Sequence, residues 1–198
     1  MEPIFIGITG GSGAGKSTAC TTLAERYPDK IGVLQLDDYL KLLIDMPKFK
    51  GFFNRDHPDA LDLNMFEYDL LELKAGNSII VDTKNEKLNP IFKKTKKKVL
   101  ADIYPKPIML IDGHLILFDG KIRKLLTMSI WLDVPQETRW QRRLYFKTLE
   151  YGKWVHMPMY KKYVEPTKRY ATHVVDAFGF SKTETVEAIE NKISPFLR

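Results

Sequence analysis

Gly10-Gly11-Ser12-Gly13-Ala14-Gly15-Lys16-Ser17 is the stretch on which the chain turns. It reads G-x-x-x-x-G-K-S, the phosphate-binding loop pattern. Its glycines let the backbone curl until successive N–H groups face one anion. Lys16 adds a mobile positive charge for the outer phosphates, and the Ser17 hydroxyl is suited to Mg²⁺. The pattern requires a strand before it and a helix after it. Ile4-Phe5-Ile6-Gly7-Ile8 is a short apolar run that predicts a buried strand. Lys16 to Tyr27 carries Ala19, Cys20, Leu23 and Ala24 at helical spacing and stops at Pro28, which predicts a helix. A chance glycine-rich turn would not carry both flanks. Gly10 to Thr18 are therefore the candidate triphosphate-binding residues, set on a helix N-terminus where the dipole favours anions.

The frame around this loop is ordinary for a globular enzyme. The 198 residues suit one domain with a small insertion, and 44% are hydrophobic, enough for a substantial core. Thirty-one basic against 25 acidic residues leave a net charge of +6, which suits a polyanionic ligand without singling out nucleic acid. The single cysteine, Cys20, excludes an intrachain disulfide and falls on the apolar side of the first helix. No apolar run is long enough to span a bilayer. Met1-Glu2-Pro3 does not begin a basic-then-apolar leader, so a cytoplasmic protein is expected.

Further strands end in acids. Val33-Leu34-Gln35-Leu36 runs into Asp37-Asp38-Tyr39, and Pro107 to Ile111 runs into Asp112-Gly113-His114. Carboxylates at the carboxyl end of α/β strands lie in the ligand crevice. An acid after an apolar strand is also the expected partner of a phosphate loop, helping to hold hydrated Mg²⁺, so Ser17 and Asp112 are the candidate metal residues. Residues 41 to 60 read as a loop. Asp62 then N-caps a helix with the stripe Leu63, Phe66, Leu70 and Leu73, ended by Gly76. His57 has no partner at metal-site spacing and reads as a loop histidine holding a turn. Ser78 to Asp82 predicts a short strand. The lysine-rich segment that follows, through Lys93, Lys94 and Lys96 to Lys98, reads as a solvated flap rather than a phosphate or nucleic-acid contact.

Met128 to Leu132 predicts a fourth strand, and Asp133 with Gln136 a capping-box-like helix start. On that helix Arg139, Arg142, Arg143 and Phe146 share a face, and three guanidinium groups so placed favour an anion among them. Lys147, Gly152 and Lys153 extend this element into a basic lid at about residues 142–160, while residues 41–105 form an insertion on the acceptor side. His173-Val174-Val175 predicts the last strand. Ser181 with Glu184 starts the final helix, whose Val186, Ile189 and Ile193 face the core. Strand–helix alternation through residues 1–198 predicts a single α/β domain with a doubly wound, mainly parallel sheet, the phosphate-loop kinase fold.

Four stretches resemble the uridine kinase branch of the uridine kinase and phosphoribulokinase family. They are the phosphate loop Ile8 to Thr18, Leu36-Asp37-Asp38-Tyr39 (the family's Q-D-S-F-Y), Asp56-His57-Pro58-Asp59-Ala60-Leu61-Asp62 (its F-D-H-P-D-A-F-D), and Val164 to Ala171 (around its P-T-K-K-Y-A-D). Ile111-Asp112-Gly113-His114-Leu115 is similar to its F-E-G-I-L. The resemblance implies that Asp37 takes the proton from the acceptor hydroxyl and that Asp56 holds ribose hydroxyls, with Tyr39 and His57 beside them on the substrate. It places Asp112 near Mg²⁺ and makes Arg139, Arg142 and Arg143 the arginine-rich entry to the lid, acting with Lys16 and Asp37 in catalysis. Leu40 stands where the family has tyrosine, and Arg55 where it has phenylalanine before D-H-P-D. Val81-Asp82-Thr83-Lys84 replaces its base-recognition segment.

Three functions follow from these residues. One is a kinase that uses ATP and Mg²⁺ to phosphorylate the 5′-hydroxyl of uridine or cytidine. Another is a kinase of the same fold with a different, anionic hydroxyl acceptor, suggested by Arg55 and the lysines. The third is a nucleotide-dependent switch or nucleic-acid-stimulated ATPase. No N-K-x-D stretch supports a guanine-specific switch. The partner expected is a small-molecule acceptor, a ribonucleoside; neither membrane nor nucleic acid is expected, and a homo-oligomer is compatible with the chain.

Overall fold

The structure is a computed structural model that describes residues 2–85, 87–144 and 149–197, without the side chains of Lys93, Arg143 and Leu144. The expectations placed on the Arg143 side chain, Phe146 and Lys147 therefore fall outside the described residues.

At the centre is β1 (Ile4–Thr9), followed by the phosphate loop and α1 (Lys16–Arg26). The chain continues through β2 (Ile31–Gln35) and a 3₁₀ turn at Leu36–Tyr39. A two-residue-per-strand hairpin follows, β3 (Lys48–Phe49) with β4 (Phe52–Phe53), and then α2 (Leu63–Lys74). A second hairpin pairs β5 (Ile79–Thr83) antiparallel with β6 (Val99–Ile103), with the short α3 (Phe92–Thr95) between them. Next come β7 (Ile108–Asp112), α4 (Gly120–Leu125), β8 (Met128–Asp133) and α5 (Gln136–Leu144). Residues 149–170 are helical: α6 (Leu149–Tyr151), a π-helical stretch Gly152–His156, α7 (Met157–Met159), a second π stretch Tyr160–Val164 and a 3₁₀ run Glu165–Tyr170. The chain closes with β9 (His173–Asp176) and α8 (Lys182–Ile193).

The main sheet has the order β2-β7-β1-β8-β9 and is parallel throughout, as the strand–helix alternation requires. Alternation within each strand divides the core into two layers. Phe5, Met109, Ile111 and Trp131 point to one face, against α2 through Phe66, Leu70 and Leu73, and against the β5–β6 hairpin. Ile6, Ile8, Ile108, Leu110, Ile130 and Leu132 point to the other, against α1 and α8. Full burial of each large apolar side chain here contributes roughly 1.5–3 kcal/mol.

Asp62 caps α2, its carboxylate accepting from the Met65 N–H, and Ser181 with Glu184 forms a full capping box on α8. The expected cap on α5 is different. Asp133 is the last residue of β8, and its carboxylate accepts from Lys168 Nζ at 2.7 Å and Trp131 Nε1 at 3.3 Å. The 3₁₀ run is thereby tied to the sheet. In the lysine-rich segment Lys94, Lys96 and Lys97 are exposed, as expected of a solvated flap, and β6 starts only after it, at Val99. Lys98 departs from that reading: its Nζ donates to the Asp38 carbonyl at 2.9 Å.

Candidate active site

The sheet order brings the three acid- and loop-bearing strand ends side by side. The phosphate loop leaves β1, Asp37 follows β2, and Asp112 ends β7, which lies between them in register with Ile8 and Gln35. This is the crevice at the carboxyl edge where parallel sheets bind ligands.

The phosphate loop is shaped by close approach. Gly10 has φ +131, and a Cβ there would lie 2.5 Å from the Leu132 carbonyl oxygen. Gly13 has φ +88, and a Cβ there would lie 2.7 Å from the Arg139 carbonyl oxygen. Only glycine fits such positions without strain. Gly15 caps α1 with no side-chain hydrogen bond, so the first N–H groups of the helix face the loop with no side-chain cap. Lys16 is buried and folds back so that Nζ donates to the Gly11 carbonyl at 3.2 Å. Ser12 and Ala14 complete the turn, and Ser17 and Thr18 are exposed in the first turn of α1.

Asp112 is buried, and Gln35 Nε2 donates to its Oδ2 at 3.4 Å. Its Oδ1 has no hydrogen-bond partner among the described residues. Burial raises the acid's pKa, while the Lys16 charge and the Ser17 hydroxyl pull against it. An orphaned carboxylate oxygen beside a serine hydroxyl fits Mg²⁺, which takes hard oxygen ligands and keeps much of its water. Among the described residues no three His, Cys, Asp or Glu groups converge as a self-sufficient metal cage, so phosphate and water would complete the coordination.

The two aspartates after β2 divide their roles. Asp37 is half-exposed, and its Oδ2 accepts from Lys84 Nζ at 3.0 Å. Burial pushes its carboxyl up, but Lys84, His114 and Lys16 outweigh that and hold it at about 2, ionised at neutral pH. Asp38 serves the fold: it accepts from the Thr83 hydroxyl at 2.6 Å and the Lys84 N–H at 3.3 Å, docking β5. Tyr39, expected on the substrate, is turned into the core. Its ring packs edge-on against Phe66 and its hydroxyl donates to Asp69 at 2.6 Å.

On the acceptor side Asp56 is buried, with Oδ2 accepting from the Tyr151 hydroxyl at 2.7 Å and Oδ1 2.8 Å from His156 Nδ1. His57 holds its turn: Nδ1 accepts from the Asp59 N–H at 3.1 Å, and Nε2 lies 2.8 Å from the Tyr163 hydroxyl. Both ring nitrogens are thus engaged within the chain. His114 is held mainly neutral at physiological pH: burial lowers its pKa to about 4, against the charges of Asp37 and Asp56. Its Nε2 is buried without a hydrogen-bond partner among the described residues.

The arginines separate. Arg139 is buried across the loop, with Nε donating to the Val134 carbonyl at 2.9 Å and the guanidinium 4.1 Å from the Tyr160 ring centre. A Cβ on Gly11 would lie 2.0 Å from its Nη1, so the arginine lies directly on the loop. Arg142 is exposed and donates to the Gly13 carbonyl at 3.2 Å. The arginine helix is therefore tied to the phosphate loop through two of its side chains.

The family model described as Phosphoribulokinase / Uridine kinase family matches residues 5–184. The chain belongs to this family. Within it, "Uridine kinase" of Clostridium novyi is 32% identical over 100% of this chain and 98% of its own length. "Uridine kinase" of Leuconostoc citreum is also 32% identical, again over 100% and 98%. Among solved structures, a possible uridine kinase from Bacillus stearothermophilus superposes with a TM-score of 0.62 at 18% identity, covering 89% of this chain and 90% of that one. The last likeness concerns the fold.

Lys84, Lys98, Tyr151 and His156 had no sequence signal as members of this family site. Each reaches it from a sequence-distant element. Only the absence of the family's base-recognition segment at Val81 to Lys84 marked that segment as unusual.

Proposed function

We propose that the chain is an ATP-dependent kinase that transfers the γ-phosphoryl group to the 5′-hydroxyl of uridine or cytidine. The observation that carries this is the placement of the ionised Asp37 carboxylate at the carboxyl end of β2, in the same crevice as the phosphate loop after β1, with only β7 and its Asp112 between them. Full-length similarity to proteins named uridine kinase supports the nucleoside as acceptor.

In this mechanism the triphosphate lies on the N–H groups of the loop and the first turn of α1, with Lys16 on its outer oxygens. Ser17 and Asp112 would hold Mg²⁺, which when bound would neutralise phosphate charge. Asp37 accepts the hydrogen bond of the 5′-hydroxyl, orients its oxygen towards the γ-phosphorus and takes its proton as the new O–P bond forms and ADP leaves. Arg139, Arg142 and Arg143 stabilise the charge of the transferring group. Asp56 receives ribose hydroxyls in place of the Tyr151 hydroxyl, with His57 keeping its loop in place. The kinase is expected to act in the cytoplasm on a free ribonucleoside and without nucleic acid.

A panel of acceptors tests this: uridine, cytidine, 2′-deoxyuridine and a polyol phosphate under the same Mg-ATP. Uridine or cytidine should acquire phosphate, and 2′-deoxyuridine far less, because a site built to bond a hydroxyl rejects its absence by up to roughly 10⁴–10⁵-fold. Reaction of the polyol phosphate alone would replace the nucleoside with an anionic acceptor.

A further inference from the structure

We propose that Lys84 is a positioning residue for the general base: its ammonium holds Oδ2 of Asp37 and leaves Oδ1 to the acceptor hydroxyl. The inference rests on the nucleoside-kinase function proposed above. Lys84 Nζ lies 3.0 Å from Asp37 Oδ2 and is the hydrogen-bond partner of that carboxylate among the described residues.

An exposed Lys–Asp pair by itself contributes little, because two mobile side chains must be ordered. Here both backbones are fixed first. The Lys84 N–H donates to Asp38 Oδ1 at 3.3 Å, and the fully buried Thr83 donates to Asp38 Oδ2 at 2.6 Å. Lys98 Nζ donates to the Asp38 carbonyl, binding β6 to the same turn. Asn89 Nδ2 closes the hairpin by donating to the Thr83 and Lys97 carbonyls at 3.1 and 3.0 Å. The Lys84 backbone is thus anchored to the residue next to Asp37, and the ion pair has only side-chain freedom left to remove.

The consequence is a divided carboxylate. A half-exposed aspartate in a one-turn 3₁₀ element has several staggered orientations. Lys84 selects one. Proton acceptance needs one oxygen with the right aim, and small misplacement of such a group costs much rate. Lys84 replaces no base-reading contact in this role. It acts on acceptor geometry through Asp37.

The test is a double-mutant cycle on uridine phosphorylation using Lys84→Met, Lys84→Arg, Asp37→Asn and Lys84→Met with Asp37→Asn. Lys84→Met should lower kcat about tenfold or more, with the uridine KM within about threefold, because orientation and not ground-state binding is lost. Lys84→Arg, which keeps a cationic donor, should recover most of kcat. In the Asp37→Asn background, Lys84→Met should cost no further rate, since effects through one group do not add. Unchanged kcat in Lys84→Met, a raised uridine KM with kcat intact, or additive losses in the double variant would each overturn the proposal. Failure of the wild-type protein to phosphorylate any nucleoside would instead overturn the function on which it rests.

Discussion

The Tyr151 hydroxyl donates to Oδ2 of Asp56 at 2.7 Å, joining the helical segment after α5 to the acceptor loop. The same hydroxyl accepts from the Arg55 N–H at 3.1 Å, and the ring packs edge-on against Phe52. Ribose hydroxyls bound to Asp56 would take over this position from the Tyr151 hydroxyl. Tyr151→Phe keeps the ring and removes the donor. It should lower stability by roughly 1–3 kcal/mol, the cost of stripping a partner from a buried polar group. Saturating uridine should shrink that deficit, because the ribose restores donors. Thermal melts of both proteins with and without uridine measure this; an equal deficit in both conditions would show that Asp56 does not receive the ribose.

The docking of the β5–β6 hairpin depends on Asp38. Thr83→Val is nearly isosteric and removes the hydroxyl that donates to Asp38. It should destabilise the fold by about 1–3 kcal/mol. It should also speed hydrogen exchange selectively in residues 79–103. Urea titration and amide exchange provide the two readouts, and wild-type exchange in the hairpin would mean that Asp38 is not its anchor.

Arg139 lies against Gly11 so closely that a methyl group there collides with the guanidinium. Gly11→Ala should therefore reproduce the catalytic loss of Arg139→Ala, with little added loss in the double variant. Steady-state kinetics on the three proteins decide it. A near-normal Gly11→Ala would mean that the arginine finds an equally good position off the loop.

Cys20 is fully buried in α1. Burial pushes its thiol pKa well up, and the nearby Asp112 carboxylate pushes it further. Reactivity follows the thiolate, so the native thiol should resist alkylation at pH 8 and react quickly only in denaturant. Rapid native alkylation without loss of structure would contradict the packing of α1 on the sheet.

Local patterns carried most of the fold. The loop glycines, the apolar strands ending in acids, Asp62 and the Ser181–Glu184 pair all report through neighbours within a few residues, and the parallel sheet follows from their order. What the local pattern could not carry was pairing at a distance. Nothing near Asp56 announces Tyr151 or His156, and nothing near Asp37 announces Lys84. Strand β6 was hidden because Lys96 to Lys98 mask its start and only Val99 to Ile103 pair with β5. Asp133 offered a helix-cap pattern, yet Lys168, brought beside it by the 3₁₀ run, is the stronger partner because both groups are charged. Tyr39 matched a substrate-facing motif, but the acid at Asp69 on α2 drew its hydroxyl inward.

The most direct measurement is transfer of label from γ-labelled Mg-ATP to uridine by the wild-type protein and by Asp37→Asn, with ATP affinity measured on both. The account predicts labelled uridine 5′-monophosphate from the wild type. It predicts a loss of about 10²–10⁴-fold in turnover for Asp37→Asn, the span of a lost general base, at unchanged ATP affinity. No labelled nucleotide from the wild type, or equal turnover by the two proteins, would contradict it.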